Sequence, residues 1–293
     1  VKRSAAEIFI EDKEILLLNS KGLELEEKRT EILVDFVLLA EKGPLLEGEG
    51  QGSKKAVFFD DLNLAETMDH YAAFSRESLE AVLPRSGLFP VIFSEEALDS
   101  LFHFFCLQAS GPGRFQNWSH FRVGYPVIEE LQGEALTLSS NPTLPGGLKT
   151  RSFDDNGLPL HPVRVIDENI FQNPMNSKRY ADYLNEKATG DFSNLEVASG
   201  STLSSDLLTG APCFHLLRFS HFEPNPVTGA FSAEIRTGYY LMNGRKMPIK
   251  GGSVSGTMQQ AFKKAFFSRE RTRREAYSGP RAVRIEPLTI SGS

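Results

Sequence analysis

The sequence predicts an α+β fold: mixed helix and sheet up to about residue 87, then a β-rich, largely antiparallel domain. Three observations carry this expectation. Short runs rich in Val, Ile, Phe and Leu recur between Gly, Asn and Pro residues, the pattern of strands and turns. Only three longer stretches, near 63–83, 95–109 and 256–274, space their apolar residues as helices do. Asn243-Gly244, set between segments of strand character, signals a tight antiparallel hairpin.

At 293 residues the chain has ample material for a core, and 40% hydrophobic with 24% charged residues is ordinary for a soluble globular protein. No long apolar run marks a membrane helix. Val1-Lys2-Arg3 is followed by Ser-Ala-Ala-Glu rather than by the apolar stretch of a signal peptide, so a cytoplasmic location is expected. Residues 1–87 are expected to be the C-terminal portion of an N-terminal α+β domain that starts upstream of Val1, and residues 88–293 a second domain. Cys106 and Cys213 are too few for a disulfide scaffold or a zinc ribbon and read as reduced thiols.

Charge is uneven. Residues 1–50 hold twelve acidic and seven basic side chains, whereas 240–293 hold three acidic and eleven basic. A basic end can attract nucleic acid or an acidic partner, or simply offset the acidic remainder.

In chain order, Glu7-Ile8-Phe9-Ile10, Ile15–Leu18 and Thr30–Ala40 read as strands, with a turn at Asn19–Gly22. Gly43 to Ser53, with four glycines and a proline, reads as a loop. A helix is expected from Asn63 to about Leu83, with Asn63 and Glu66 forming a capping box. Phe89–Phe93 reads as a buried strand. Ser94 should cap a helix over Glu95–Ala109 whose core face carries Ala97, Leu98, Leu101, Phe102 and Phe105, and Ser110-Gly111-Pro112-Gly113 should stop it. Short helices are expected within Asn173–Asn185 and from Ser204 to Leu208, antiparallel strands over 214–249, and a last helix from Gly256 to about Arg274.

Several segments, in order, resemble the TldD/PmbA family, also known as modulators of DNA gyrase. They are Phe153-Asp154-Asp155-Asn156-Gly157, Ala188-Thr189-Gly190, Thr228–Ser232, Gly238–Gly244, Pro248-Ile249-Lys250 and Val254-Ser255-Gly256, with Leu17–Gly22 upstream. The resemblance implies a zinc site in TldD-type members, made by a His-Glu-x-x-x-His helix and a downstream Cys. There two imidazoles and a thiolate would hold the metal, and the carboxylate would act as base on metal-bound water. On this chain the first His falls on His103, the Glu on Phe104 and the second His on Gln108, and no Cys follows in 268–285. Phe cannot take a proton and Gln is a poor zinc ligand. The likeness is therefore to the PmbA branch, called TldE in the paired system, which lacks the motif. It implies a non-catalytic subunit, with no zinc and no catalytic residue. Its partners would be itself or a TldD-like catalytic subunit, and an unfolded peptide.

Other chemistry is thin. His103 with Cys106, or His215 with His221 if both lie on one strand, supplies only two ligands, and His70, His120 and His161 have no ligand spacing. Asp154-Asp155 suits a tight turn. Arg269, Arg271, Arg273 and Arg274 form a basic cluster, diluted by Glu270 and Glu275, that reads as a solvated helix end, so nucleic acid is not expected. The competing readings are an autonomous peptidase with a non-standard site and a gyrase-associated modulator. Phe102, Phe104 and Phe105 point to more than one side of their helix, which would suit a dimer interface.

Overall fold

The structure is a computed structural model and describes residues 1–43, 47–210 and 212–292. The chain opens with a three-stranded antiparallel sheet, β1 (Lys2–Leu18), β2 (Glu24–Glu41) and β3 (Glu47–Ala56), in that spatial order. From Ile32 to Ala40, β2 buries every second residue: Ile32, Val34, Phe36, Leu38 and Ala40. Helix α1 (Leu64–Glu77) lies on that face with Leu64, Met68, Tyr71 and Ala72.

Two expectations fail here. The stretch read as a loop over Gly43–Ser53 is strand β3 from Glu47 onward, and its part at 44–46 lies outside the described residues. Its glycines alternate because they face the helix: a Cβ on Gly48 would meet the Ser75 carbonyl oxygen at 2.1 Å, and one on Gly50 that of Tyr71 at 2.4 Å. Asn63 makes no side-chain cap and sits at φ 44°; the α-helix stops at Glu77, followed by a single 3₁₀ turn. That leaves Val82 to bridge to Ile249 in the next part of the chain.

β4 (Gly87–Ser94) enters the second part, as read from sequence. The helix expected over 95–109 is broken at Phe102 into α2 (Ala97–Leu101) and α3 (His103–Ala109). Ser94 is no cap, since Glu95 at φ 55° makes a tight turn between strand and helix. Ser110 ends α3 at Ala109, as expected, and also starts a further helix: its hydroxyl accepts from Gly113 N (3.1 Å) at the head of α4 (Gly111–Phe115). Phe102, Phe104 and Phe105 are all buried within this one chain, so their burial asks for no second subunit.

Next come β5 (Leu138–Asn141), β6 (Val163–Asp167), β7 (Ile170–Phe171), α5 (Lys178–Leu184), β8 (Asn194–Val197) and α6 (Ser204–Leu207). They are followed by β9 (Cys213–Phe219), β10 (Ala230–Met242), β11 (Arg245–Ile249) and β12 (Ser253–Thr257). The β10–β11 hairpin turns on Asn243 (φ 51°) and Gly244 (φ 73°), the left-handed pair that an Asn-Gly turn supplies. The last helix is far shorter than expected: α7 (Met258–Lys263) gives way to β13 (Ala265–Phe267), β14 (Arg271–Arg274), β15 (Tyr277–Pro280) and β16 (Ala282–Ser291). Phe266 and Phe267 pair with Arg284 and Val283 on β16, so the inward aromatic residues there serve a strand edge.

Strands β10, β12, β16, β4 and β9 follow one another by pairing, and β9 pairs back onto β10, closing the sheet on itself. All these pairs are antiparallel except β4–β9. A second sheet runs β14-β15-β8-β5-β6-β7. One continuous core of Phe93, Phe102, Phe105, Phe171, Phe214, Phe262 and their aliphatic neighbours fills the space around α2, α3 and both sheets. The fold is α+β, with mixed sheets.

Candidate functional site

The three positions matched to the zinc motif part company in space. His103 is exposed on the wall of a cavity of about 500 Å³. Phe104 is buried, its ring edge-on to Phe105 at 5.7 Å. Gln108 is fully buried and its amide is fully employed: Nε2 donates to the carbonyls of Trp118 (3.0 Å) and Pro226 (2.7 Å), and Oε1 accepts from His120 N (2.7 Å). Gln108 thus pins the 118–120 and 226 segments to α3.

The remaining histidines are scattered. His215 Nε2 lies 2.6 Å from Ser94 Oγ, and burial, then the nearby Lys246 charge, pulls its pKa down to about 4, so the ring is neutral at pH 7. His221 falls beyond the end of β9 and pairs with Glu223 at 3.2 Å, so the two do not share a strand face. His120 bonds the Val227 carbonyl (2.7 Å). Burial pushes the Cys106 thiol up to about 12, far from the thiolate a metal needs. Among the described residues no group of three or more His, Cys, Asp or Glu side chains could hold a metal ion. The donors do not fit a zinc centre, because only one imidazole of the motif reaches open space. Asp154 is a turn residue, as expected: Oδ1 accepts from Asn156 N (2.9 Å) and Leu158 N (3.0 Å).

Where the first sheet and α1 meet the closed sheet, charged side chains gather around two cavities. One, about 460 Å³, is lined by Lys54, His70, Tyr71, Glu95, Arg273 and Arg281 among others. The other is the one His103 faces, with Glu96, Asp99 and Arg218. Arg274 and Glu275 line both. Arg274 reaches Glu95 Oε2 (3.4 Å) and Asp99 Oδ1 (3.4 Å), joining the β14–β15 turn to the β4–α2 turn. Glu96 takes the Tyr71 hydroxyl (2.6 Å) on one oxygen and Arg218 Nε (3.0 Å) on the other, tying α1 to β9. Tyr239 and Lys246 clasp Glu77 at the end of α1.

Burial raises Asp99 to about 7 even though Arg274 beside it pulls the other way. Burial, then the Arg274 charge, lowers the Lys54 ammonium. Glu95 (φ 55°), Glu275 (φ 48°) and Asn63 (φ 44°) all hold left-handed backbone around the first cavity, a conformation that costs about 1–3 kcal/mol in such residues and gathers at functional sites. Sequence reading missed most of this site. The sequence places Glu95 and Glu96 at the start of a helix, but they form the turn before α2; it places Arg273 and Arg274 at a helix end. They lie on strand β14 instead, where Arg271 is taken up by the Val197 and Ser278 carbonyls. Only the crowding of charge on 269–275 hinted at a site.

Residues 86–292 match the model of the PmbA/TldA metallopeptidase C-terminal domain. The chain belongs to the TldD/PmbA family. Solved structures share its fold. A proposed modulator of a DNA gyrase from Thermotoga maritima MSB8 is 20% identical with a TM-score of 0.81, over 94% of this chain and 66% of that one. A proposed modulator of DNA gyrase from Bacteroides thetaiotaomicron VPI-5482 is 16% identical with a TM-score of 0.85, over 98% and 66%. TldE from Thermococcus kodakarensis is 16% identical with a TM-score of 0.82, over 98% and 69%. An uncharacterized protein of Methanocaldococcus jannaschii is 23% identical over 185 residues, 60% of this chain and 44% of its own length. This TldD/PmbA chain thus spans about two thirds of the solved chains and less than half of the archaeal relative. Among the described residues it has no helix long and apolar enough to cross a membrane.

Proposed function

We propose that the chain is a TldE-like, non-catalytic subunit that works in the cytoplasm with a TldD-type metallopeptidase and holds an unfolded peptide for it. One observation carries the reading: Phe104 and Gln108 are built into the core, and only His103 of the motif faces a cavity. A side chain with three buried hydrogen bonds elsewhere cannot turn to a metal without leaving those partners unpaired. The likeness to TldE from Thermococcus kodakarensis supports a paired assembly. The charged cleft between the first sheet and the closed sheet is the surface on which a peptide would lie, its chain amides meeting fixed carboxylates and guanidiniums. Zinc and catalytic groups come from the partner, so this chain needs none.

The test is reconstitution. The chain is mixed with a TldD-type subunit from the same genome and followed by light scattering and by cleavage of a reduced, unfolded polypeptide. A mixed complex that cleaves, with no cleavage by this chain alone, is the expected result. Cleavage by this chain alone would favour the autonomous peptidase, and salt-dependent DNA binding the gyrase-linked reading.

A further inference from the structure

We infer that a small recess lined by Arg271 and Arg281, beside the 460 Å³ cavity, is a site for a carboxylate carried by a peptide in the cleft. The recess holds about 160 Å³ and is lined by Glu95, Arg271, Thr272 and Arg281. Glu95, Thr272 and Arg281 also line the larger cavity, so the two adjoin. Arg271 and Thr272 stand on β14 opposite Pro280 and Gly279 of β15, and Arg281 directly follows Pro280. Strand pairing therefore brings two arginines to one small space. Like charges set together on paired strands repel unless something of opposite sign lies between them.

Arg271 is held by neutral groups alone. Nη1 donates to the Val197 carbonyl (3.0 Å) and Ser199 Oγ (3.3 Å), and Nη2 to the Ser278 carbonyl (3.1 Å) and Oγ (3.3 Å). These bonds fix the guanidinium without cancelling its charge. Arg281 gives its main-chain N–H to the Glu270 carbonyl (2.8 Å), and its side chain has no partner among the described residues. The Glu270 carboxylate is turned to Ser204 N (2.8 Å), and Glu275 lines the larger cavity but not the recess. Glu95 does line the recess, and Arg274 already pairs with it at 3.4 Å. Even with Glu95 counted in full, the two guanidiniums leave the recess one net positive charge. One carboxylate cancels that charge, whereas a phosphate dianion overshoots it. A guanidinium also matches a carboxylate in shape, donating two parallel N–H bonds. The Thr272 hydroxyl, unbonded among the described residues, adds a neutral donor. At about 30 Å³ per water, the recess has room for a carboxyl group and a few waters.

The inference deepens the reading of the cleft as peptide-holding and rests on it for the source of the carboxylate. Titration calorimetry of the full chain tests it with four probes. Acetyl-pentaalanine carries only a C-terminal carboxylate, acetyl-Ala-Ala-Asp-Ala-Ala-amide only an internal one, and acetyl-pentaalanine amide no charge; inorganic phosphate is the fourth. At least one charged peptide should bind about tenfold or more tighter than the neutral one, the size of one hydrogen bond to a charged group. Which of them does so tells whether the recess takes a chain end or a side chain. Arg281→Gln should bring that peptide down to the affinity of the neutral one and leave the neutral one unchanged. Arg269→Gln, at an exposed arginine outside the recess, should leave the preference intact. Arg281 is exposed as well, so folding is not at stake. A preference that is absent, that survives Arg281→Gln or that falls equally in Arg269→Gln overturns the inference, as does phosphate binding more tightly than either charged peptide. If all three peptides bind equally, or if none binds but a reduced, unfolded polypeptide does, this inference falls and the peptide-holding reading stands; if neither peptides nor polypeptide bind, both fall.

Discussion

Gln108 shows how one residue can be read wrongly from its neighbours in sequence and rightly from its neighbours in space. Aligned to a ligand position, it looks like a lost histidine. In the fold it is a buried amide satisfying two carbonyls and one N–H. Gln108→Ala strands these groups, and each buried unpaired group costs about 1–3 kcal/mol. We expect the free energy of unfolding in urea to fall by about 3–5 kcal/mol; a loss below about 1 kcal/mol would mean that water replaces the amide at little cost. Asp99 offers a pH test. Its folded pKa is raised to about 7, chiefly by burial, above the unfolded value near 4. Between these values the folded state binds more protons, so this contribution to stability is full below about pH 4 and is lost as pH rises to about 7. His215 has the opposite sign: its pKa is depressed to about 4, so its contribution is lost as pH falls from about 6.5. The comparison must therefore be of variant with parent. Asp99→Asn should gain on the parent as pH rises from 4.5 to 7.5, and a constant difference across that range would sink the assignment.

At the scale of elements, β3 is the most informative. Glycine at 48, 50 and 52 suggested a loop, yet the period of two is that of a strand whose one face must stay bare so that α1 can lie on it. Gly50→Val should destabilise by about 2–4 kcal/mol in chemical denaturation, while Glu49→Val, on the exposed face, should change stability by less than about 1 kcal/mol. Equal effects would show that β3 does not carry the helix. The β10–β11 hairpin and β4 were legible because their signals are local: an Asn-Gly pair, and an unbroken apolar run. The 256–274 segment was not. Its Met258, Ala261, Phe262, Ala265 and Phe266 have helical spacing, but only α7 uses it, and pairing of β13 with β16 overrides the rest. The cavities were invisible for a related reason. Their walls come from residues near 54, 63, 95 and 274, brought together by long-range pairing that no local pattern encodes.

For the whole molecule, the fold is the one shared with TldD/PmbA relatives, and Phe104 and Gln108 on α3 are packed into its core. The N-terminal sheet is fastened to the rest by polar clamps, Tyr71–Glu96–Arg218 and Glu77–Tyr239–Lys246, rather than by a continuous apolar core. Such an interface suits the proposed peptide-holding cleft. Under the proposed subunit role, this cleft works without a metal of its own. The most direct test is the zinc content of the purified chain after incubation with excess zinc and desalting, measured by elemental analysis. Far less than one zinc per chain, unchanged in His103→Ala, is the expected result; about one zinc per chain, lost in His103→Ala, would contradict the subunit role.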